Sequence, residues 1–141
     1  MNKLHTLMVM AIIILLFPTL ALAQTVTLSW DASPTTDPVV TGYKIYYQSA
    51  PYMAQWDGSG ATQGASPIDV GSVLTYQLTD LADGVVYYFA VTAYDAQANE
   101  STYSNIVQSD PNGDSHLHIG GHGMRFWLPA DVVENRGSAR F

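Results

Sequence analysis

The sequence predicts a single all-β domain built as an antiparallel sandwich, and three observations support this. Apolar and polar residues alternate over stretches of about five residues, as in strands with one buried face. Clusters of Asp, Ser, Pro and Gly separate these stretches at the spacing typical of sandwiches. Residues 24–108 show no helical periodicity that would compete with this assignment.

The predicted strands follow one another along the chain. The first covers residues 26–30, where apolar residues alternate with Thr and Ser. The second begins at Gly42 and places Tyr43, Ile45 and Tyr47 on one face. The same reasoning predicts further strands at residues 68–70, 74–78, 86–94 and 104–107. The apolar faces of these strands predict a core that contains Trp30, Tyr43, Ile45, Tyr87, Phe89 and Val91.

A turn with a defined physical role precedes the longest predicted strand. Leu81 is expected to fill the core, and Gly84 to allow a tight turn after it. Tyr87 is then placed to bury its ring while its hydroxyl bonds the backbone of the turn. We therefore expect this corner to be structural.

Residues 1–23 are expected to be a secretory signal peptide. Lys3 supplies the positive start, residues 7–17 form the apolar stretch, and Ala21-Leu22-Ala23 is a small-x-small cleavage site before Gln24. The alternative is an uncleaved membrane anchor, but the apolar run is shorter than the ~20 residues of a span. We therefore expect a periplasmic or extracellular protein.

The composition excludes several classes of function. Five Lys and Arg against twelve Asp and Glu give a net charge of −7, which opposes nucleic-acid binding. The absence of Cys removes disulfides, thiolate metal sites and cysteine nucleophiles. No spacing of Ser, His and acidic residues singles out a catalytic constellation. We expect a protein that is not an enzyme, with no nucleic-acid partner and no membrane span after signal cleavage.

Three stretches resemble a fibronectin type III domain of the kind found in bacterial secreted proteins. They are the tryptophan strand at residues 26–31, the Gly-Tyr-Lys-Ile-Tyr-Tyr run at 42–47, and the corner with its following strand at 81–95. The resemblance covers residues 24–108 and implies the β-sandwich of that family. A tail, residues 109–141, follows this domain.

The resemblance leaves one sheet edge without its usual strand. The family normally has a strand before the tryptophan strand, and only residues 24–25 precede it after the predicted cleavage site. Such an edge is a template for pairing. We predict that the tail covers this edge, in the same chain or in a neighbouring one, and the alternative is a frayed terminus. The prediction depends on the apolar tail residues Leu117, Ile119, Phe126, Trp127 and Leu128.

The long loop at residues 48–67 holds the first candidate binding residues, Tyr52 and Trp56. Exposed aromatic rings can stack on sugars or anchor a protein partner. The structural alternative is that both rings fold back and cover the edge or the end of the sandwich.

The tail holds the other candidate residues. Phe126 and Trp127 are candidate docking residues on a segment that also carries three Arg. His116 and His118 would point the same way on a strand, and His122 could return across the preceding glycine pair. Neutral imidazoles suit Zn, Cu or Ni. We expect no tightly held cofactor and at most weak binding of a divalent transition metal, because no further ligand is evident.

Together these features predict a secreted, non-catalytic binding or assembly module at the cell exterior. Its expected partner is a protein or a second copy of the chain, held through the open sheet edge and the tail. A polysaccharide is the next candidate partner. Two alternatives stay open: a small metal-binding protein that uses the tail histidines, and a carbohydrate-binding accessory module that uses Tyr52 and Trp56.

Overall fold

The computed structural model describes residues 22–33, 38–120 and 124. The described residues form two sheets that face each other across one core. The strands are β1 (Ala23–Trp30), β2 (Val40–Ser49), β3 (Ile68–Gly71), β4 (Thr75–Ala82), β5 (Tyr87–Asp95), β6 (Val107–Gln108) and β7 (Ser115–Ile119). One sheet has the order β4-β1-β7, and the other has the order β3-β2-β5-β6. The predicted all-β sandwich is confirmed.

The core lies where the sequence pattern predicts it. Trp30 is 3 % exposed, and Ile45, Phe89 and Val91 are fully buried. Alternation along β2 buries Tyr43, Ile45 and Tyr47 and leaves the residues between them half-buried. Each large apolar side chain buried in this way contributes roughly 1.5–3 kcal/mol. This burial stabilises the sandwich in a chain that has no Cys.

The predicted corner is confirmed in detail. Leu81 is fully buried, and Gly84 has φ +75°, a conformation that favours glycine. The hydroxyl of Tyr87 accepts a hydrogen bond of 3.2 Å from the backbone N–H of Ala82, while its ring is buried. The corner therefore closes the turn between β4 and β5 and is part of the core.

Strand β7 occupies the free edge of β1, as predicted for the tail. The two strands pair in parallel, with Val26 opposite Ser115 and Trp30 opposite Ile119. Two contacts extend the pairing: Asp31 N–H donates to the carbonyl of Ile119, and Thr25 N–H donates to the carboxylate of Asp114. The strand that covers the edge comes from the same chain and reaches it after β6.

Some predictions fall outside the described residues. The apolar part of the predicted signal peptide does so, and so do His122, Phe126 and Trp127. Strand β1 begins at Ala23, one residue before the predicted start of the mature chain. Among the described residues, none forms an apolar helix of membrane-spanning length.

The predicted strand at 104–107 is wrong in its extent, because regular pairing covers only β6. On both sides of β6 the chain is held to β5 by serine side chains. Ser101, Ser104 and Ser109 each donate a backbone N–H to a carbonyl of β5 and accept, through Oγ, the N–H of that same β5 residue. Their hydroxyls take the place that backbone carbonyls have in a regular ladder.

Candidate binding surfaces

The loop between β2 and β3 folds back onto the outer face of the four-stranded sheet. Gln48 is 2 % exposed and holds the loop down through three hydrogen bonds. Its Nε2 donates to the carbonyl of Pro51, and its Oε1 accepts from the backbone N–H groups of Gln55 and Trp56. A buried amide with both ends paired fixes a segment firmly, since breaking it would leave polar groups unpaired.

Trp56 lies at the centre of the aromatic cluster that this loop creates. Its ring centroid is 5.4 Å from that of Tyr103, 5.8 Å from Tyr52 and 6.3 Å from Tyr46. Tyr52 also contacts Tyr88 at 5.3 Å, and Tyr46 meets Tyr103 edge-on at 4.9 Å. These are the offset and edge-to-face geometries that aromatic pairs prefer.

The aromatic residues of this cluster differ in how far they are exposed. Trp56 is 7 % exposed, so its faces are taken by neighbouring rings, as in the structural alternative for this loop. Tyr52 is 41 % exposed and Tyr103 is 44 % exposed. We call Tyr52, Trp56 and Tyr103 the aromatic surface: two accessible phenol rings supported by a buried indole.

Sequence reasoning found two of these three residues and missed Tyr103. This residue follows β5 in the serine-held segment, far along the chain from the loop. Nothing in the local sequence shows that the loop and this segment meet on one face. The only available signal was an aromatic residue among the polar side chains of 95–105.

A polar network lies beside the aromatic surface. The Glu100 carboxylate accepts hydrogen bonds from Tyr46 at 2.5 Å, Thr92 at 2.6 Å and Lys44 at 2.8 Å. Burial alone would raise the pKa of Glu100, but these three donors together lower it below its ordinary value of 4.5. Burial, followed by the bond to Glu100, raises the pKa of Tyr46. The network therefore holds the Tyr46 phenol protonated and in place beneath the exposed tyrosines.

The tail histidines that the structure describes lie on β7. His116 and His118 are exposed and Ser115 and Ile119 are buried, so the alternation predicted for this stretch is confirmed. His118 Nδ1 is 3.2 Å from Ser29 Oγ. Within the described part of the chain, no group of three or more His, Cys, Asp or Glu side chains is placed to hold a metal ion.

Comparison with known proteins places this fold in a family. The family model of the fibronectin type III domain matches residues 21–110. A Kelch domain-containing protein of Saccharolobus solfataricus is 34 % identical over 88 residues, which are 62 % of this chain and 10 % of that protein. The chain thus spans about a tenth of the length of this relative. None of the solved structures matches the chain. With the sandwich, the corner and the family match in agreement, the chain belongs to the fibronectin type III family, whose domains are generally non-catalytic and commonly mediate protein interactions.

Proposed function

We propose that this chain is a secreted, non-catalytic module that binds a protein partner at the cell exterior through its aromatic surface. The observation that carries the proposal is the exposure of Tyr52 and Tyr103 on a rigid support. Tyrosine rings supply a large contact area, and their entropy cost is low when neighbours already hold them. Tyr52 is held by Trp56 and Tyr88, and Tyr103 by Trp56 and Tyr46.

The pairing of Lys44 and the exposed apolar residues close in sequence to the two tyrosines support a protein rather than an anionic ligand. Among the described residues Lys44 is the one Lys or Arg, and it is paired with Glu100. Met53, next to Tyr52, is 64 % exposed, and Ile106 beyond Tyr103 is 43 % exposed. Aromatic residues and Met are enriched at the centres of protein interfaces.

Site-specific photo-crosslinking in the native host tests this proposal, because it captures whichever partner contacts the surface. A benzophenone amino acid would replace Tyr52 or Tyr103, and Gln77, exposed on the opposite sheet, would serve as the control position. We expect a protein adduct from the two tyrosine positions and none from Gln77. The same adduct from all three positions, or none from either tyrosine, would contradict the proposal.

The composition of the adduct separates the expected partners. Peptides of another protein would identify a partner chain, and peptides of this chain would identify self-association through the aromatic surface. The polysaccharide alternative would use the same two exposed rings. A glycan array probed with the native chain and with Tyr52→Ala/Tyr103→Ala tests it, and binding lost in the double variant would favour this alternative over a protein partner.

Secretion is a separate part of the proposal, supported by the pattern of residues 1–23. Mass spectrometry of the protein recovered from the native host tests it. A chain that begins at Gln24, found outside the cytoplasm, is the expected result. A chain that still carries residues 1–23 would contradict the cleavage site.

A further inference from the structure

We propose that Asp31 and His118 form a binding site for one divalent transition metal ion, with Zn²⁺, Cu²⁺ or Ni²⁺ as the suitable class. Asp31 follows the last residue of β1, and His118 lies on β7 opposite Ser29, two residues before Asp31. The site therefore joins the body of the sandwich to the strand that the tail supplies. It differs from the three-histidine site that the sequence suggested.

The distance between the two donor atoms fits a shared metal ion. His118 Nε2 lies 3.4 Å from Asp31 Oδ1, which is long for a hydrogen bond. Zinc binds imidazole nitrogen at about 2.0–2.1 Å and carboxylate oxygen at about 2.0–2.2 Å, usually with tetrahedral geometry. Two such ligands at a tetrahedral angle are about 3.4 Å apart. An ion can therefore enter between them without displacing either side chain.

Ser29 contacts the ring of His118 at its second nitrogen. Its Oγ lies 3.2 Å from His118 Nδ1 and 3.4 Å from the carbonyl oxygen of Leu117. A ring with its proton on Nδ1 donates that proton to Ser29 Oγ and leaves on Nε2 the lone pair that a metal requires. A hydrogen bond to the second ring nitrogen is the usual support of a metal-binding histidine, because it fixes both tautomer and orientation.

The local charge also favours a cation. In the tautomer with the proton on Nδ1, the Nε2 lone pair of His118 faces the carboxylate of Asp31 with no proton between them. Either a proton or a metal ion must separate these two electron-rich atoms for them to attract. Both side chains are 60 % exposed, so an ion reaches them directly from solvent.

His116 provides a matched control on the same strand. It lies two residues before His118, is exposed on the same face, and pairs in register with Thr27, two residues further from Asp31 than the partner of His118. The described residues supply two protein ligands to the proposed site, with water completing the coordination. Binding is therefore expected to be weaker than at a site with three or four protein ligands.

Calorimetric titration of the full chain with Zn²⁺ and Cu²⁺ tests the site. Asp31→Asn and His118→Gln should each weaken binding at least tenfold, because each removes one of the two ligands. Ser29→Ala should weaken binding by a smaller factor, because it releases the ring without removing a ligand. His116→Gln should change the affinity less than twofold.

Thermal unfolding gives a second readout, which a merely adsorbed ion would not produce. Since the ion joins Asp31 to β7, saturating Zn²⁺ should raise the melting temperature of the native chain and of His116→Gln, but not that of Asp31→Asn. Circular dichroism of each variant confirms that the fold is retained, as expected for side chains on the surface.

Three results would overturn the proposal. One is no measurable Zn²⁺ or Cu²⁺ binding by the native chain. Another is an equal loss of affinity in His116→Gln, which would place the ion between the two imidazoles of β7. The third is a loss in His122→Gln with full affinity in Asp31→Asn, which would place the ion on the glycine-rich segment beyond β7.

Discussion

Three serines connect the segment around β6 to strand β5 of the four-stranded sheet. Ser104 illustrates the arrangement: its N–H donates to the carbonyl of Val91, and its Oγ accepts the N–H of Val91, both at 2.9 Å. Ser101 and Ser109 repeat this with Ala93 and Tyr87. One serine therefore satisfies both backbone groups of its partner. This explains why a strand predicted from alternation alone was wrong in its extent.

Replacing Ser104 tests this arrangement at a single residue. Ser104→Ala would leave the buried N–H of Val91 without its acceptor, at a cost of about 1–3 kcal/mol. Ser59→Ala, at an exposed position, is the control and should change the free energy of unfolding by less than about 0.5 kcal/mol. Urea denaturation of both variants measures the difference. Equal values would mean that the Ser104 hydroxyl contributes nothing to the pairing.

Variants at Tyr87 and Trp30 compare the free energy that a hydrogen bond contributes to folding with the free energy that burial contributes. Tyr87→Phe removes the acceptor of the Ala82 N–H and should cost about 1 kcal/mol while the fold is kept. Trp30→Ala empties a position that is 3 % exposed and should cost about 3–5 kcal/mol. Chemical denaturation of the two variants gives both numbers. Negligible losses in both would contradict the assignment of these residues to the corner and the core.

Strand β7 contributes to the stability of the sandwich mainly by burying one of its faces. Ile119 is fully buried in the common core, whereas His116 on the same strand is exposed. The parallel direction follows from the chain path, since β7 begins beside the corner at Gly84, where β1 also begins. There Gly84 N–H donates to the carbonyl of Pro111 and fixes the approach of the strand.

Ile119→Ala measures what β7 contributes. Removing this side chain from a closed core should cost about 2–5 kcal/mol. His116→Ala changes the same strand at its exposed face and should cost less than about 0.5 kcal/mol. Thermal or urea unfolding compares the two variants. If Ile119→Ala were as mild as His116→Ala, β7 would not be packed on the sandwich in solution.

The elements that sequence predicts well are those with a local signal. The strands of residues 26–30 and 86–94 alternate clearly, and the corner at Gly84 has its own residue pattern. The covered edge was predictable because the sheet lacked a strand at that edge and the apolar tail residues needed a surface on which to be buried. The aromatic surface was not predictable, since burial of Trp56 depends on Gln48 and Tyr103 meeting it from other parts of the chain.

The whole molecule carries a strong excess of acidic groups, with a net charge of −7, and some of these groups stabilise the fold. Burial would raise the pKa of Glu100, but the bonds from Lys44, Thr92 and Tyr46 outweigh burial and lower it. The pKa of Asp95 is lowered mainly by the side-chain bond from Asn99. A lowered folded pKa means stability that is present above the unfolded pKa and lost as pH falls.

Acid unfolding should therefore depend on Glu100. In the native chain this stabilisation is complete above the ordinary pKa of 4.5 and declines as the pH falls through the lowered folded value. Glu100→Gln should be less stable at neutral pH and should lose less stability between neutral and acidic pH. Melting temperatures recorded from pH 7 to pH 3 give both curves. Parallel curves would mean that Glu100 has the same pKa in the folded and unfolded chain.

The state of the whole molecule also depends on which chain supplies β7, because an edge strand can be exchanged between copies. One engineered pair of cysteines can show which chain supplies β7. The native chain has no Cys, so no other disulfide can form. Thr27 and His116 are partners in the register of β1 and β7, and neighbouring strands about 4.8 Å apart fall within the range of Cα separations that a disulfide bridges. Thr27→Cys/His116→Cys should oxidise within one chain and run as a monomer in non-reducing electrophoresis, with a raised melting temperature. A covalent dimer that forms in the double variant, and in neither single variant, would show that β7 pairs with a second copy.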